Sequence, residues 1–397
     1  MKTGRVAGLY SLNREWGRMP KIMGPKISKL SIQKSNRSNI YRLLREEGAL
    51  SKQEIVRRLR LSLPTVTTNL TDLEAEGLVA EGGFTGSTGG RRAKTYSAVN
   101  DARLAVGFDV AKEYVIAVIV DLRGAIIHKT RVSLQFEQSD AYYRRLADVV
   151  RDLVEGGVPD AGRILGVGIG VPGLVTEDHQ TVFYGEILKF TGASCAEFSR
   201  HIPYKTALFN DASAAGFGEF WIRGRPGSAF YISLSGNIGG SVMIDNRIHN
   251  GAHYHSGEIG HLTLYPGGKH CYCGQRGCVE SYLAATILTG ETAGSLSAFF
   301  KRLSTRDALS LALWDVYLND LARTVNNLQQ LFDCTIILGG SVAEYLDAHL
   351  DELKRRAGLL NPFEKENADY IEICRYKTWS IAAGAALHFV SEFINTV

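Results

Sequence analysis

Two capped helix starts joined by a turn of about three residues constrain this chain more than any other feature. Ser51 followed by Glu54 is a capping box, in which each side chain can bond the other residue's backbone N–H. Ser62 stands before Pro64, whose missing N–H costs nothing in a first helical turn. Between and beyond these starts, Ile55, Val56 and Leu59, then Val66, Leu70 and Leu73, repeat at helical spacing. Upstream, Ile40, Leu43 and Leu44 form a third stripe that Gly48 ends. Three helices with so short a second turn make a helix-turn-helix, and its third helix is the element that enters a DNA major groove.

With the inward stripe assigned, Thr65, Thr67, Thr68 and Asn69 are expected to project from the first half of that third helix toward base edges and phosphates. The following "GLVAEGGFTGSTGGRRAKTYSAV" reads as two strands around a glycine-rich tip, which makes the unit a winged helix. Arg91, Arg92 and Lys94 lie in or beside that wing and are expected to meet phosphates or a narrow minor groove. Through Ala98 the chain has 18 Lys and Arg against 8 Asp and Glu, and the remainder has 27 against 33. The net charge of +4 therefore hides a basic front joined to a mildly acidic body, the distribution of a nucleic-acid module attached to something else. Residues 1–34 read as a basic extension and 35–98 as the winged helix-turn-helix.

At 397 residues, 45% hydrophobic and 22% charged, the chain can bury the cores of two or three domains. It has no apolar run of about 18 residues and no secretory h-region, so a cytoplasmic protein with reduced thiols and no membrane insertion is expected. From residue 103 the pattern becomes strand-rich. "LAVGFDVAKEYVIAVIVDLRGAIIHKTRVSL", "ILGVGIGVPGLV", "AFYISLSGNIGGSVMIDNRI" and "CTIILGGSVAEYL" are buried runs ending in glycine turns, with helical stretches such as 139–155 between them. Such alternation implies an α/β body.

The order of "LSLPTVTTNLTDLEAEGLV", "FNDASAAGFGE", "SGNIGGSVMIDNRIHNGAHYHSGEIGH", "CYCGQRGCVES", "IILGGSVAE" and "AAGAA" resembles the ROK family of bacterial repressors and sugar kinases. The resemblance spans roughly residues 36 to 397. It implies an actin-like, two-lobed ATPase (RNase H-like) fold over 103–397: a small lobe of about 103–208 plus the C-terminal helix, and a large lobe of about 209–380. The fused N-terminal module is that of the regulators more than of the stand-alone kinases.

His261, Cys271, Cys273 and Cys278 supply one imidazole and three thiolates, a usual tetrahedral set for structural Zn²⁺. Three clustered thiols cannot pair without a remainder, and the resemblance assigns a metal to this same pattern. Cys195, Cys334 and Cys374 lack metal spacing and read as buried apolar groups. The resemblance further implies sugar contacts at Gly173, Asn210, Asp211, Glu258, His261 and Glu280, with Asp211 matching the kinases' general base. The phosphate side departs from the kinase pattern. Where those enzymes carry Asp-x-Gly-Gly-Thr, this chain reads Asp109, Val110, Ala111, Lys112, Glu113, and "LSGNIGG" has Ser235 and Asn237 in the second loop. Added side chains and a carboxylate obstruct the backbone approach that phosphates need, so ATP-dependent phosphotransfer is not expected.

These readings combine into a sugar-responsive transcriptional regulator, a repressor that binds operator DNA as a homodimer or homotetramer and takes a sugar or sugar phosphate as effector. Two rivals stay open: an active sugar kinase with a DNA-binding appendage, and a regulator controlled by a protein such as a phosphotransferase-system component. Thr68 stands where an Arg is common in related regulators, so no operator sequence carries over.

Overall fold

The computed structural model describes residues 29–84, 93–158, 160–224, 227–292, 294–363 and 368–397. Arg91 and Arg92 lie outside them. The N-terminal unit contains α1 (Lys29–Glu47), β1 (Leu50–Ser51), α2 (Lys52–Leu59), α3 (Leu63–Ala75), β2 (Val79–Phe84) and β3 (Lys94–Ala98). Helix α1 begins inside the stretch read as a basic extension, so that boundary moves back to Lys29. Ser51 Oγ accepts from the Glu54 N–H at 3.3 Å, and Glu54 Oε2 accepts from the Ser51 N–H at 2.8 Å, as the capping box requires. Ser62 caps α3 through the Thr65 N–H at 3.2 Å. Ile40, Leu44, Ile55, Val66, Leu70 and Leu73 are all at most 1% exposed and make one small core. Strands β2 and β3 pair antiparallel as the wing, with β1 on the far side of β3.

The body holds two sheets built on one plan. The first comprises β4 (Leu104–Val110), β5 (Tyr114–Asp121), β6 (Ile126–Ser133), β7 (Ile164–Val171) and β10 (Thr206–Asn210), with α4 (Asp140–Gly157) after β6. Between β7 and β10 come a small hairpin, β8 (Leu174–Val175) and β9 (Val182–Tyr184), and α5 (Cys195–Ser199). The second sheet follows α6 (Asp211–Ile222) and comprises β11 (Ala229–Leu234), β12 (Ile238–Ile244), β13 (Arg247–Ile248), β14 (Thr335–Gly339) and β15 (Ile371–Ile373). Helices α7 (Glu280–Leu283), α8 (Ala285–Thr289), α9 (Leu296–Ser304) and α10 (Ala308–Phe332) precede β14, α11 (Leu350–Leu360) follows it, and α12 (Ser380–Thr396) ends the chain. The strand orders are β10-β7-β4-β5-β6 and β13-β12-β11-β14-β15. In each sheet a three-strand antiparallel meander is extended by two parallel strands, the second half repeating the first. Because β10 belongs to the first sheet, that lobe runs through Asn210 rather than ending at 208.

Helices α6 and α12 cross between the sheets, and the closeness of their approach explains the closing "AAGAA". A Cβ on Gly384 would lie 1.7 Å from the Ala214 carbonyl oxygen, and one on Gly107 in β4 would lie 1.9 Å from the Ala382 oxygen. Gly384→Ala gains about 1 kcal/mol of helix propensity, but the neighbour it meets is backbone and cannot swing aside. Overpacking should win, so this variant is expected to lose about 1–3 kcal/mol of stability in urea denaturation. An unchanged midpoint would show that the helices do not pack this closely.

The winged helix is docked, not tethered. Ser38 Oγ donates to the Val397 carbonyl at 2.5 Å, and Arg42 Nη2 donates to Asn395 Oδ1 at 2.5 Å. The Arg45 guanidinium lies 4.6 Å over the Trp221 ring on α6. Ile40, Tyr41 and Leu44 of α1 share a continuous buried cluster with Leu387, Val390, Ile394 and Val397 at the end of α12. Burial there pushes the Tyr41 hydroxyl up to about 12.

Candidate functional site

A cavity of about 460 Å³ opens between the two lobes. Its walls come from the β4–β5 turn, the segment after β7, the start of α6, the β11–β12 turn, the loop carrying Glu258 and His261, and the residues leading into α12. Gly173, Asn210, Asp211, Glu258 and His261, which the sequence places far apart, all line it.

Asn210 caps α6, its Oδ1 accepting from the Ser213 N–H at 2.9 Å, while its Nδ2 donates to the Gly173 carbonyl at 3.1 Å. Gly173 is packed where a Cβ would lie 2.8 Å from the Tyr184 oxygen, so only glycine lets that carbonyl come so near. Asp211 opens the helix, where the N-terminal dipole favours a carboxylate, and its Oδ1 accepts from Ala212 N–H at 2.7 Å and Asn210 Nδ2 at 3.2 Å. Burial outweighs those bonds and raises Asp211 to about 7, with the Glu258 charge adding to the rise. Burial likewise raises Asp109 to about 7, followed by repulsion from Asp211. Glu258 is raised by burial and then by Glu280. Three carboxyls thus face one cavity, and Asp109 and Asp211, both near 7, can each donate as well as accept around neutral pH.

Glu280, expected beside the sugar, is not among the residues lining this cavity, though its charge acts on Glu258. Its side chain is buried, Oε2 accepting from the Ile238 N–H at 2.7 Å and Oε1 from Asn237 Nδ2 at 3.1 Å. The carboxylate braces the β11–β12 turn from behind. The turn is also tied to the next loop, since the Ser341 N–H donates to Ser235 Oγ at 3.2 Å. At the other wall, Ala111, Lys112 and Glu113 form the tight β4–β5 turn and are among the lining residues.

Behind Glu258, the candidate ligand atoms of His261, Cys271, Cys273 and Cys278 lie within 4.8 Å of one another. The Cys273 and Cys278 sulfurs are 3.8 Å apart, and Cys271 Sγ is 3.9 Å from His261 Nδ1. A tetrahedral ion with sulfur ligands at 2.3 Å requires sulfur–sulfur edges of about 3.8 Å. The four side chains can hold a metal. Gly274 and Gly277, at φ of 88° and 82°, supply the left-handed turns that bring Cys273 and Cys278 together. Among the described residues this is the group of His, Cys and carboxylates positioned for an ion; Cys195, Cys334 and Cys374 are buried elsewhere.

On α3 of the winged helix, Thr68 is exposed and Thr65 and Thr67 are half-buried. Asn69 is corrected: it is 3% exposed, and its Nδ2 donates to the Thr65 carbonyl at 2.8 Å. At 100° per residue it falls beside Val66, Leu70 and Leu73 and joins the core side of α3. Lys94 projects from the wing with its Nζ 2.7 Å from Glu81 Oε1. Arg57, Arg58 and Arg60 at the end of α2 are exposed and extend the basic face, a contribution already visible in "RRLR". In the cavity, sequence reasoning gave Asp109 no ligand contact and did not single out Tyr184, Tyr272, Lys377, Thr378, Ser380 and Ile381 as lining residues. Two signals were available: Asp109 opens the stretch matching the kinases' phosphate loop, and "CYC" places Tyr272 between two metal ligands; its hydroxyl lies 3.4 Å from His261 Nε2.

Residues 105–386 match the ROK family, and residues 34–80 match a winged helix-turn-helix DNA-binding family. The xylose repressor of Bacillus subtilis (strain 168) is 29% identical over 302 residues, 75% of this chain and 76% of that protein. A glucokinase of Halalkalibacterium halodurans is 24% identical over 276 residues, 63% of this chain and 84% of that enzyme. A solved ROK family transcriptional regulator, a homolog of the E. coli MLC protein, shares the fold with a TM-score of 0.72 at 18% identity, over 92% of this chain and 97% of its own. Because the match runs through both lobes, the cleft and the cysteine loop, this chain belongs to the ROK family and carries an N-terminal winged helix-turn-helix.

Proposed function

We propose that the protein is a sugar-responsive DNA-binding repressor of carbohydrate genes, with a sugar in the interlobe cavity as its effector and Zn²⁺ as a structural ion in the cysteine loop. One observation carries this reading. Helix α12 begins at the cavity, where Ser380 and Ile381 are lining residues, and ends about 25 Å away with Asn395 and Val397 bonded to α1 of the winged helix. A ligand that favours one arrangement of the lobes therefore bears on the DNA-binding unit through a single rigid element. The coupling equals the difference in sugar affinity between DNA-competent and DNA-incompetent states. A helix-turn-helix protein reads a two-fold operator as a dimer, so a homodimer, or a homotetramer of two such pairs, is the working assembly.

The B. subtilis relative's name supports the repressor half. Against phosphoryl transfer stand the side chains of Ala111 to Glu113 in the cavity and the Ser235–Ser341 bond, which uses a backbone N–H that a phosphate would need. Asp211 near 7 suits a general base, so what the site lacks is the phosphate cradle, not the base.

The test is DNA binding to the protein's own upstream region, titrated with common hexoses and pentoses. One of them should change the affinity by about tenfold, within the usual range of coupling energies. A parallel ATP-coupled assay should show no sugar-dependent turnover. If no sugar alters DNA affinity, the sensor reading fails; turnover abolished by Asp211→Asn would replace it with a kinase.

A further inference from the structure

We propose that Asp109 is an effector-binding residue and that the cavity selects an unphosphorylated, uncharged sugar over its phosphate esters. The proposal rests on the sugar-sensor reading and adds the chemical class of the ligand.

Asp109 lies at the inner end of β4, is 7% exposed, and lines the cavity. No hydrogen bond reaches its carboxylate from any described residue, although a buried carboxylate ordinarily has several partners. Asp211, its neighbour across the floor, has two such bonds. A ligand hydroxyl is the partner Asp109 lacks, and a hydroxyl reaching Asp211 from the cavity also comes within the field of Asp109.

The charges around the cavity sharpen the assignment. Its wall carries five carboxyls, Asp109, Glu113, Glu186, Asp211 and Glu258, against two lysines. Lys377 Nζ is already 2.7 Å from Asp347 Oδ2, and Lys112 is exposed at the rim. Arg131 acts on Asp109 from outside the cavity, its guanidinium stacked 3.9 Å over the Tyr114 ring. Phosphate recognition needs converging cations or free backbone N–H groups. Here the Ser341 N–H is taken by Ser235, and the inner wall is acidic. A phosphoryl group on the hydroxyl nearest Asp211 would face Asp109 and Asp211 with no cation between them.

The experiment is calorimetric titration of the full-length protein with paired probes: D-glucose and D-glucose 6-phosphate, D-mannose and D-mannose 6-phosphate, D-ribose and D-ribose 5-phosphate, and D-xylose as an additional free pentose. For any pair that binds, the free sugar should bind at least about tenfold more tightly than its ester, the scale of one charge-assisted interaction. Asp109→Asn, which keeps the shape, should weaken the free sugar about tenfold and narrow the gap to the ester. An ester that binds as tightly as its sugar overturns the proposal while leaving the sugar-sensor reading intact. So does an Asp109→Asn protein with both affinities unchanged. If no sugar and no ester binds, the sugar-sensor reading itself falls and this inference with it.

Discussion

The purified parent protein should take up about one zinc per chain and Cys278→Ser less than about a tenth of that, because a closed four-ligand site would lose one of its three thiolates. Structural zinc sites contribute about 10–16 kcal/mol of apparent binding free energy in peptides, so even partial loss is large against any other contact in this loop. Without an ion, the loop is held by a few backbone bonds, such as Leu264 N–H to the Gly277 carbonyl at 2.7 Å and Cys271 N–H to the Gln275 carbonyl at 2.9 Å. Cys278 itself is 1% exposed, and burial pushes its thiol up to about 12 until a cation is present to stabilise the thiolate. Serine preserves the shape, which separates metal loss from misfolding. The same variant should bind sugar more weakly, since His261 and Tyr272 form the cavity wall on this loop. Cys334→Ser, at a buried cysteine outside the cluster, is the control and should keep its metal. Full zinc content and unchanged sugar affinity in Cys278→Ser would remove the metal assignment.

Glu219→Ala should be the most destabilising single change outside the metal loop, by about 3–5 kcal/mol, the cost of breaking a buried ion pair from one side. Glu219 on α6 is fully buried and pairs with Arg223, whose side chain is only 6% exposed. Its oxygens also accept from the backbone N–H groups of Arg375 and Tyr376, each at 2.8 Å. Alanine would leave those two donors unsatisfied and Arg223 with Glu372 at 2.9 Å, the Ile373 carbonyl at 2.8 Å and the residue-219 carbonyl at 3.3 Å as its remaining bonds. At about 2–4 °C per kcal/mol for large domains, the melting midpoint should drop by roughly 6–20 °C. Glu219→Gln keeps acceptor capacity and should lose about 1–3 kcal/mol. The carboxylate anchors the segment that leads directly into Lys377–Ile381 at the cavity, so sugar affinity should fall in Glu219→Gln even where the protein remains folded. A midpoint within about 2 °C of the parent for Glu219→Ala would refute this account.

Much of the architecture was legible before any coordinates because its causes are local. The capping box at Ser51 and Glu54 and the cap at Ser62 depend on residues three apart, and the structure bears them out. The metal cluster was equally legible, since soft ligands at short spacing with two permissive glycines leave few other uses for His261, Cys271, Cys273 and Cys278. Asn69 was misread because polarity suggested an outward position while helical phase placed it inward, where a bond to the Thr65 carbonyl compensates its burial.

The cleft marks the other limit. Residue identity places Gly173, Asn210, Asp211, Glu258, His261 and Glu280 in one functional group by family pattern, and the structure binds the Glu280 carboxylate to the β11–β12 turn. That carboxylate accepts from the Ile238 N–H, where a buried amide left unbonded would be costly. Asp109 came to share one cavity with Asp211 and Glu258 only because two lobes close around them, and α12 joined cavity to winged helix only through packing between Gly107, Gly384 and their neighbours. Short-range patterns set caps, turns, ligand sets and charge distribution, since those interactions span a few residues. Which carboxylate faces solvent, which braces a loop, and which helix couples two distant units depend on contacts between residues hundreds of positions apart, such as Ser38 with Val397. Those follow from close packing, which has no signature in local sequence.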